Sequence, residues 1–137
     1  MRFVDSTIFL TFLTAEDQTK AKACYQLFKQ AEKGGFTLFT LEAEIKKVVN
    51  ILRSKRHYNL SQQEIRDRLY PLLTMRGLKL THQKVVLQAL DYFVQYAYEF
   101  EDCLKLAHLA QYQITSIYSY DHPLGQANQL QPIAPGL

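Results

Sequence analysis

Cysteine is nearly absent from this chain: Cys24 and Cys103 are the only two in 137 residues. Two cysteines make no disulfide framework, no zinc spacing and no CxxC pair, which excludes a stapled secreted miniprotein and a cysteine zinc site. They read as free buried thiols of a reducing compartment. There is no glycine-rich phosphate loop, so nucleotide binding of that kind is not expected. No apolar run is long enough to span a bilayer. The apolar stretch near the start, Phe3 to Leu10, is broken by Asp5, and no small-residue cleavage site follows. No signal peptide is therefore expected, and the expected location is cytoplasmic. There is also no repeat, no low-complexity block and little excess of charge. The net charge of +3 is compatible with a polyanionic partner without requiring one.

What remains is ordinary globular composition, 47% apolar and 21% charged. The length predicts a single domain, residues 1–137, able to bury a full core without disulfides or structural metal. Short β-rich runs alternate with helical periods. "RFV" reads as a strand, as do "FTLFT" (Phe36 to Thr40), "GLKLT" (Gly77 to Thr81) and "ITSIYS" (Ile114 to Ser119), with "QPIAP" as an edge strand. Between them, Cys24, Leu27, Phe28 and Ala31 keep helical spacing up to Gly34-Gly35. Ile45, Val48, Ile51 and Leu52 do the same. Ser61 and Glu64 spell a capping box ahead of Ile65, Leu69, Leu72 and Leu73. Val86, Ala89, Leu90, Phe93 and Ala97 form the next stripe, and Asp102 to Tyr112 another helix. The alternation predicts an α/β protein, a three-layer α/β/α sandwich with a central parallel sheet. In such sheets, sites form beyond the carboxyl ends of the strands.

Against that frame four acids stand out. Asp5 falls where the first strand ends, and Asp121 just past "ITSIYSY". Glu44 shares the stripe of Val48, Ile51 and Leu52, whereas Glu42 leads to Lys46 and Arg53. Asp102 leads to Leu106 and Leu109, whereas Glu101 leads to Lys105 and His108. Crowded carboxylates repel, and one or more would stay protonated unless a cation joined them. Oxygen ligands without cysteine or patterned histidine favour Mg²⁺ or Mn²⁺ over zinc. Each acid also has a plainer use: Asp5 or Asp102 as a helix N-cap, Glu44 as partner of a helix dipole, and Asp121-His122-Pro123 as a turn.

The runs "FVDSTIFL", "TLEAEIKKVVNIL", "FEDCLKLAHLA" and "IYSYD" stand in the order found in PIN-domain ribonucleases. The whole chain resembles the small VapC-like toxins of prokaryotic toxin–antitoxin pairs. The resemblance implies that Asp5, Glu44, Asp102 and Asp121 are the catalytic acids and metal ligands, with Glu42 a rival to Glu44. It implies one or two Mg²⁺ or Mn²⁺ ions and hydrolysis of RNA phosphodiester bonds. Thr7, where the family often has Asn, and Ser119 would hydrogen-bond to and orient ligands or water. It also implies a homodimer and a cognate antitoxin, with no membrane partner. Ile8, Phe9 and Phe12 would offer the antitoxin an apolar surface beside the acids.

The basic run Arg53, Lys55, Arg56 can grip phosphates, or can be a solvated helix end. Tyr112, Tyr118 and Tyr120 can stack on bases, though packing is the commoner use of such residues. Two other functions compete with the nuclease. One is a catalytically inactive PIN-like module that binds RNA or protein. The other is a different Mg²⁺-dependent phosphohydrolase, weakened because "DST" puts Thr7 where a DxD pair needs its second acid.

Overall fold

Each short β-rich run contains a short parallel strand, and each helical stripe falls on a helix with a buried face, except that Ala97 lies past the end of its helix and is exposed. The structure, a computed structural model, describes residues 1–120 and 130–136. Its chain forms two compact units, Met1–Gln83 and Lys84–Leu137. The class is mixed α/β with parallel strands, as the alternation predicts.

In the first unit, β1 (Arg2–Phe3), β2 (Leu38–Thr40) and β3 (Leu78–Leu80) pair in parallel in the order β1-β2-β3. Parallel strands need long crossovers, and each crossover here is a pair of helices. α1 (Ser6–Thr14) and α2 (Gln18–Glu32) lead from β1 to β2. α3 (Glu42–Arg53) and α4 (Gln62–Leu73) lead from β2 to β3. Because strand side chains alternate in direction, Leu38 and Thr40 share one face with Leu78 and Leu80, and all four are buried. On the other face Phe3 meets Phe39 beside exposed Lys79. Ile45, Val48, Val49 and Leu52 seal α3, and Ile65, Leu69, Leu72 and Leu73 seal α4.

Local chemistry sets the boundaries. The capping box forms as read: the Glu64 N–H donates to Ser61 Oγ at 3.1 Å, and the Ser61 N–H donates to Glu64 Oε1 at 3.4 Å. Past α2, the Gly34 and Gly35 N–H groups donate to the Ala31 and Gln30 carbonyls and end the helix. Gly77, which leads into β3, has φ +92° and lies so close to α2 that a Cβ there would collide with the Ala31 carbonyl oxygen. Only glycine meets both conditions.

α1, α2 and α4 also frame an apolar groove of about 220 Å³, lined by Phe12, Tyr25, Phe28, Leu72 and Met75 and rimmed by Lys29, Glu32 and Arg68. Phe12 packs edge-on against Phe28, with ring centroids 5.3 Å apart, and stacks on exposed Tyr25. Phe9 corrects one expectation. It is fully buried against Phe28, so it belongs to the core and offers nothing to a partner.

The second unit carries α5 (Gln83–Gln95), which starts at the junction, then α6 (Phe100–Gln111), β4 (Ser116–Tyr118) and β5 (Gln131–Ile133). Val86, Ala89, Leu90 and Phe93 face inward from α5, and Phe93 meets Phe100 edge-on at 5.5 Å. β4 pairs with β5 in parallel, with Ile117 opposite Pro132. A proline donates no ladder bond and suits an edge strand. Both cysteines are free and buried. Burial, reinforced by the nearby charges of Asp102 and Glu99, pushes the Cys103 thiol up to about 12. Among the described residues, no helix is long and apolar enough to cross a membrane.

Candidate metal centre

The carboxyl ends of β1 and β2 place two of the four acids beside one another. β1 is held by the Val4 N–H, which donates to the Phe39 carbonyl at 2.9 Å, and the chain then turns into α1 at Asp5. The first N–H groups of a helix have no partner inside it. Asp5 serves as the N-cap: its Oδ1 accepts from the Thr7 N–H at 2.9 Å and from the Thr7 hydroxyl. The Thr7 hydroxyl is the main reason the Asp5 carboxyl lies below its ordinary value of 3.8. Desolvation opposes the shift, while the Thr7 and Ile8 backbone groups and the Lys47 charge add to it.

Glu44 arrives from the other side of the β1–β2 pair. It is the third residue of α3 after the cap at Leu41, and only 9% of it is exposed. Its Oε1 accepts from the Ser6 N–H at 3.0 Å, a contact across 38 residues of sequence. Its Oε2 faces Lys47 Nζ at 3.4 Å. α1 therefore begins between two carboxylates, Glu44 on the first N–H and Asp5 on the second. Like charges this close are tolerated because the helix start is the positive end of a dipole and because Lys47 stands beside them.

The same geometry separates Glu44 from its rival. Glu42 looks toward β3: its N–H donates to Thr81 Oγ1 at 2.8 Å, and its carboxylate lies 3.8 Å from His82 Nδ1. His82 itself sits at φ +52°, an uncommon conformation for a residue with a side chain. Glu44 thus belongs with Asp5, and Glu42 with the Thr81–His82 turn. Between them, Thr40 ends β2 fully buried, and its hydroxyl has no hydrogen-bond partner among the described residues.

Asp102 lies in the second unit, as the third residue of α6 after the cap at Glu99. It is not an N-cap. Its side chain is 36% exposed, and Lys105 Nζ lies 4.0 Å from its Oδ1. Asp121 lies outside the described residues. The Thr7 hydroxyl touches Asp5, and the Ser119 N–H donates to the Ile133 carbonyl at 3.0 Å.

The basic run lies at the far end of α3 and in the loop beyond it. Arg53 ends the helix, nine residues beyond Glu44, or about 14 Å along the axis at 1.5 Å per residue. Its guanidinium donates to the Leu60 carbonyl at 3.1 Å and clips the following loop, while Lys55 and Arg56 are exposed in that loop. Tyr112, Tyr118 and Tyr120, expected to pack, are instead among the most exposed large side chains of the described residues.

Lys47, the ion-pair partner of Glu44, was not among the residues that the sequence singled out. The signal was present, since Glu44 and Lys47 stand three apart on a helix.

As a donor set, Asp5 and Glu44 suit a hard divalent cation: oxygen only, from ionisable groups, with no sulfur or imidazole between them. Asp5 is exposed and held in its ionised form, so it can take up a ligand position without first losing a proton.

No protein-family model matches the chain, and no curated protein matches it. Among solved structures it is similar to Mycobacterium tuberculosis VapC20, described as a Sarcin-Ricin loop cleaving toxin. The two are 15% identical with a TM-score of 0.40, over 93% of this chain and 95% of that one.

Proposed function

We propose that the chain is a single-domain, PIN-type endoribonuclease of the VapC-like kind, acting in the cytoplasm as the toxin of a toxin–antitoxin pair. One observation carries the reading: the Ser6 N–H fastens the buried Glu44 carboxylate to the residue next to Asp5. Acids 39 positions apart in sequence are thereby held at one helix start on one sheet edge. Asp5 and Glu44 would hold Mg²⁺ or Mn²⁺, and the sequence resemblance assigns Asp102 and Asp121 as further ligands. An ion held there would supply an activated water and stabilise charge on the scissile phosphate. The chain's own residues orient the acids: Thr7 fixes Asp5 through its hydroxyl, and Ser6 fixes Glu44 through its amide.

The test uses purified protein, Mn²⁺ and a panel of structured RNAs. Asn caps helices as well as Asp does, so Asp5→Asn keeps the fold and removes the ligand charge. Cleavage by wild type and none by Asp5→Asn is the expected result. Equal cleavage by both marks a contaminating nuclease and ends the proposal.

The double cap also favours a second reading. Both acids satisfy backbone donors of α1, a use that survives the loss of catalysis, so an inactive PIN-like binding module would keep them too. Mn²⁺ binding in calorimetry separates the two, because a purely structural pair takes up no ion.

The partners follow from the same reading. RNA is the substrate. The antitoxin lays an apolar segment in the groove of Phe12, Tyr25 and Leu72 and sets a basic side chain against the acids. The toxin is a homodimer. Phe12→Asp should weaken binding of the protein encoded upstream, and unchanged affinity places the groove elsewhere. Light scattering showing only monomer at micromolar concentration removes the dimer.

A further inference from the structure

Both oxygens of the Glu44 carboxylate are already engaged, and by partners of different kinds. Oε1 accepts from the Ser6 N–H, a backbone donor fixed in place by the start of α1. Oε2 faces the Lys47 ammonium at 3.4 Å, and the Lys47 side chain is 62% exposed on a flexible four-carbon stem. A divalent ion that takes Glu44 at Oε2 meets Lys47 there. A ligand distance of about 2.1 Å would leave the ammonium within about 5.5 Å of a dication if Lys47 stayed in place. Like charges at that range repel, and the exposed partner is the one that can move.

We propose that Lys47 is the internal counter-ion of the Asp5–Glu44 pair, that a divalent cation displaces it, and that the released ammonium then binds a phosphate of the RNA backbone. The inference rests on the metal-dependent reading above and adds a residue to it. Without metal, Lys47 neutralises part of the charge that two carboxylates place at one helix start. With metal bound, that work passes to the ion, and the ammonium is left one helical turn from the site with no carboxylate to hold it. A phosphate brought to the ion supplies the missing negative charge. Lys47 therefore opposes metal loading and supports substrate binding, and its removal should move the two in opposite directions.

Isothermal titration with Mn²⁺ on wild type, Lys47→Met, Lys47→Arg and Asp5→Asn tests the first half. Lys47→Met should bind Mn²⁺ about three- to fivefold more tightly, the scale of one partly exposed ion pair. Lys47→Arg, which keeps the charge, should stay close to wild type. Lys47 is exposed, so these variants fold.

Anisotropy of a labelled single-stranded RNA with Ca²⁺ in place of Mn²⁺ tests the second half. Lys47→Met should bind more weakly, with a salt dependence shallower by roughly 0.7 in log–log slope, the share of one phosphate contact on a single strand. Equal Mn²⁺ affinity in wild type and Lys47→Met, with binding lost in Asp5→Asn, overturns this inference and leaves the nuclease reading standing. Mn²⁺ that binds wild type and Asp5→Asn alike, or binds neither, overturns both. Tighter Mn²⁺ binding with unchanged RNA affinity and slope, or no RNA binding by wild type, overturns the phosphate contact.

Discussion

Glu44 and Asp102 hold the same place on different helices. Each is the third residue after its cap, on α3 and on α6, and each has a lysine three residues on, Lys47 or Lys105. Sequence reading treats them alike, as acids on apolar stripes. The structure does not. Glu44 is 9% exposed and bound by a backbone N–H from the opposite side of the strand pair. The Asp102 side chain is 36% exposed, and Lys105 Nζ lies 4.0 Å from its Oδ1. An acid at a helix start needs no further partner to be stable. An acid that is buried there needs one, and the partner's origin tells which parts of the chain it ties together.

The two acids should differ least in catalysis, where the effects are largest. If both acids are ligands, Glu44→Gln and Asp102→Asn should each lower RNA cleavage on the order of 100-fold or more, beyond what loss of an orienting neighbour brings. Full activity in Asp102→Asn would reduce the likeness of the two positions to helix chemistry alone.

Stability should separate them in the other direction. Glu44→Ala strands the Ser6 N–H and should cost about 1–3 kcal/mol, whereas Asp102→Ala should stay within about 0.5 kcal/mol. Urea unfolding of the two variants measures this, and equal losses would break the contrast. Glu44→Gln keeps an acceptor for Ser6 and should lie near wild type in stability while losing activity.

Acid titration probes the neighbouring carboxylate. The folded-state value of Asp5 is depressed, so its contribution is fully present above the ordinary 3.8 and is lost as pH falls through the lower folded value. Melting temperature followed downward from pH 5 should fall less steeply in Asp5→Asn, and an unchanged slope would mean that Asp5 is no better held folded than unfolded. Lys105→Met gives the smallest change, within about 0.5 kcal/mol by thermal melting, because an exposed pair at that separation contributes little. A larger loss would show that α6 depends on its lysine.

Much of the fold was legible because it is periodic. Ile65, Leu69, Leu72 and Leu73 named the inner face of α4, and Ser61 with Glu64 named its start. Phase predicted that Glu44 is the more buried of the two helix acids, since burial follows the helical period, but it left Glu42 a rival as ligand. What could not be read was every contact set by non-local packing: Ser6 on Glu44, Thr81 on Glu42, and the burial of Phe9 beside the half-buried Phe12. Helix spacing places Phe9 and Phe12 on one stripe, but only the position of Phe28 decides which of the two stays open to the groove. The tyrosines near β4 were misread for a related reason. A β-rich run is ordinarily half buried, whereas the residues of β4 and its flanks are mostly exposed.

The double cap of α1 has a consequence for hydrogen exchange. The first amides of a helix normally exchange with solvent deuterium almost freely, because nothing inside the helix binds them. Here the Ser6 and Thr7 amides are each closed by a different carboxylate, Glu44 and Asp5. Two adjacent amides thus become separate gauges of two acids, readable in a single spectrum. A ligand that draws Asp5 away speeds Thr7 and spares Ser6, and a ligand that draws Glu44 away does the reverse.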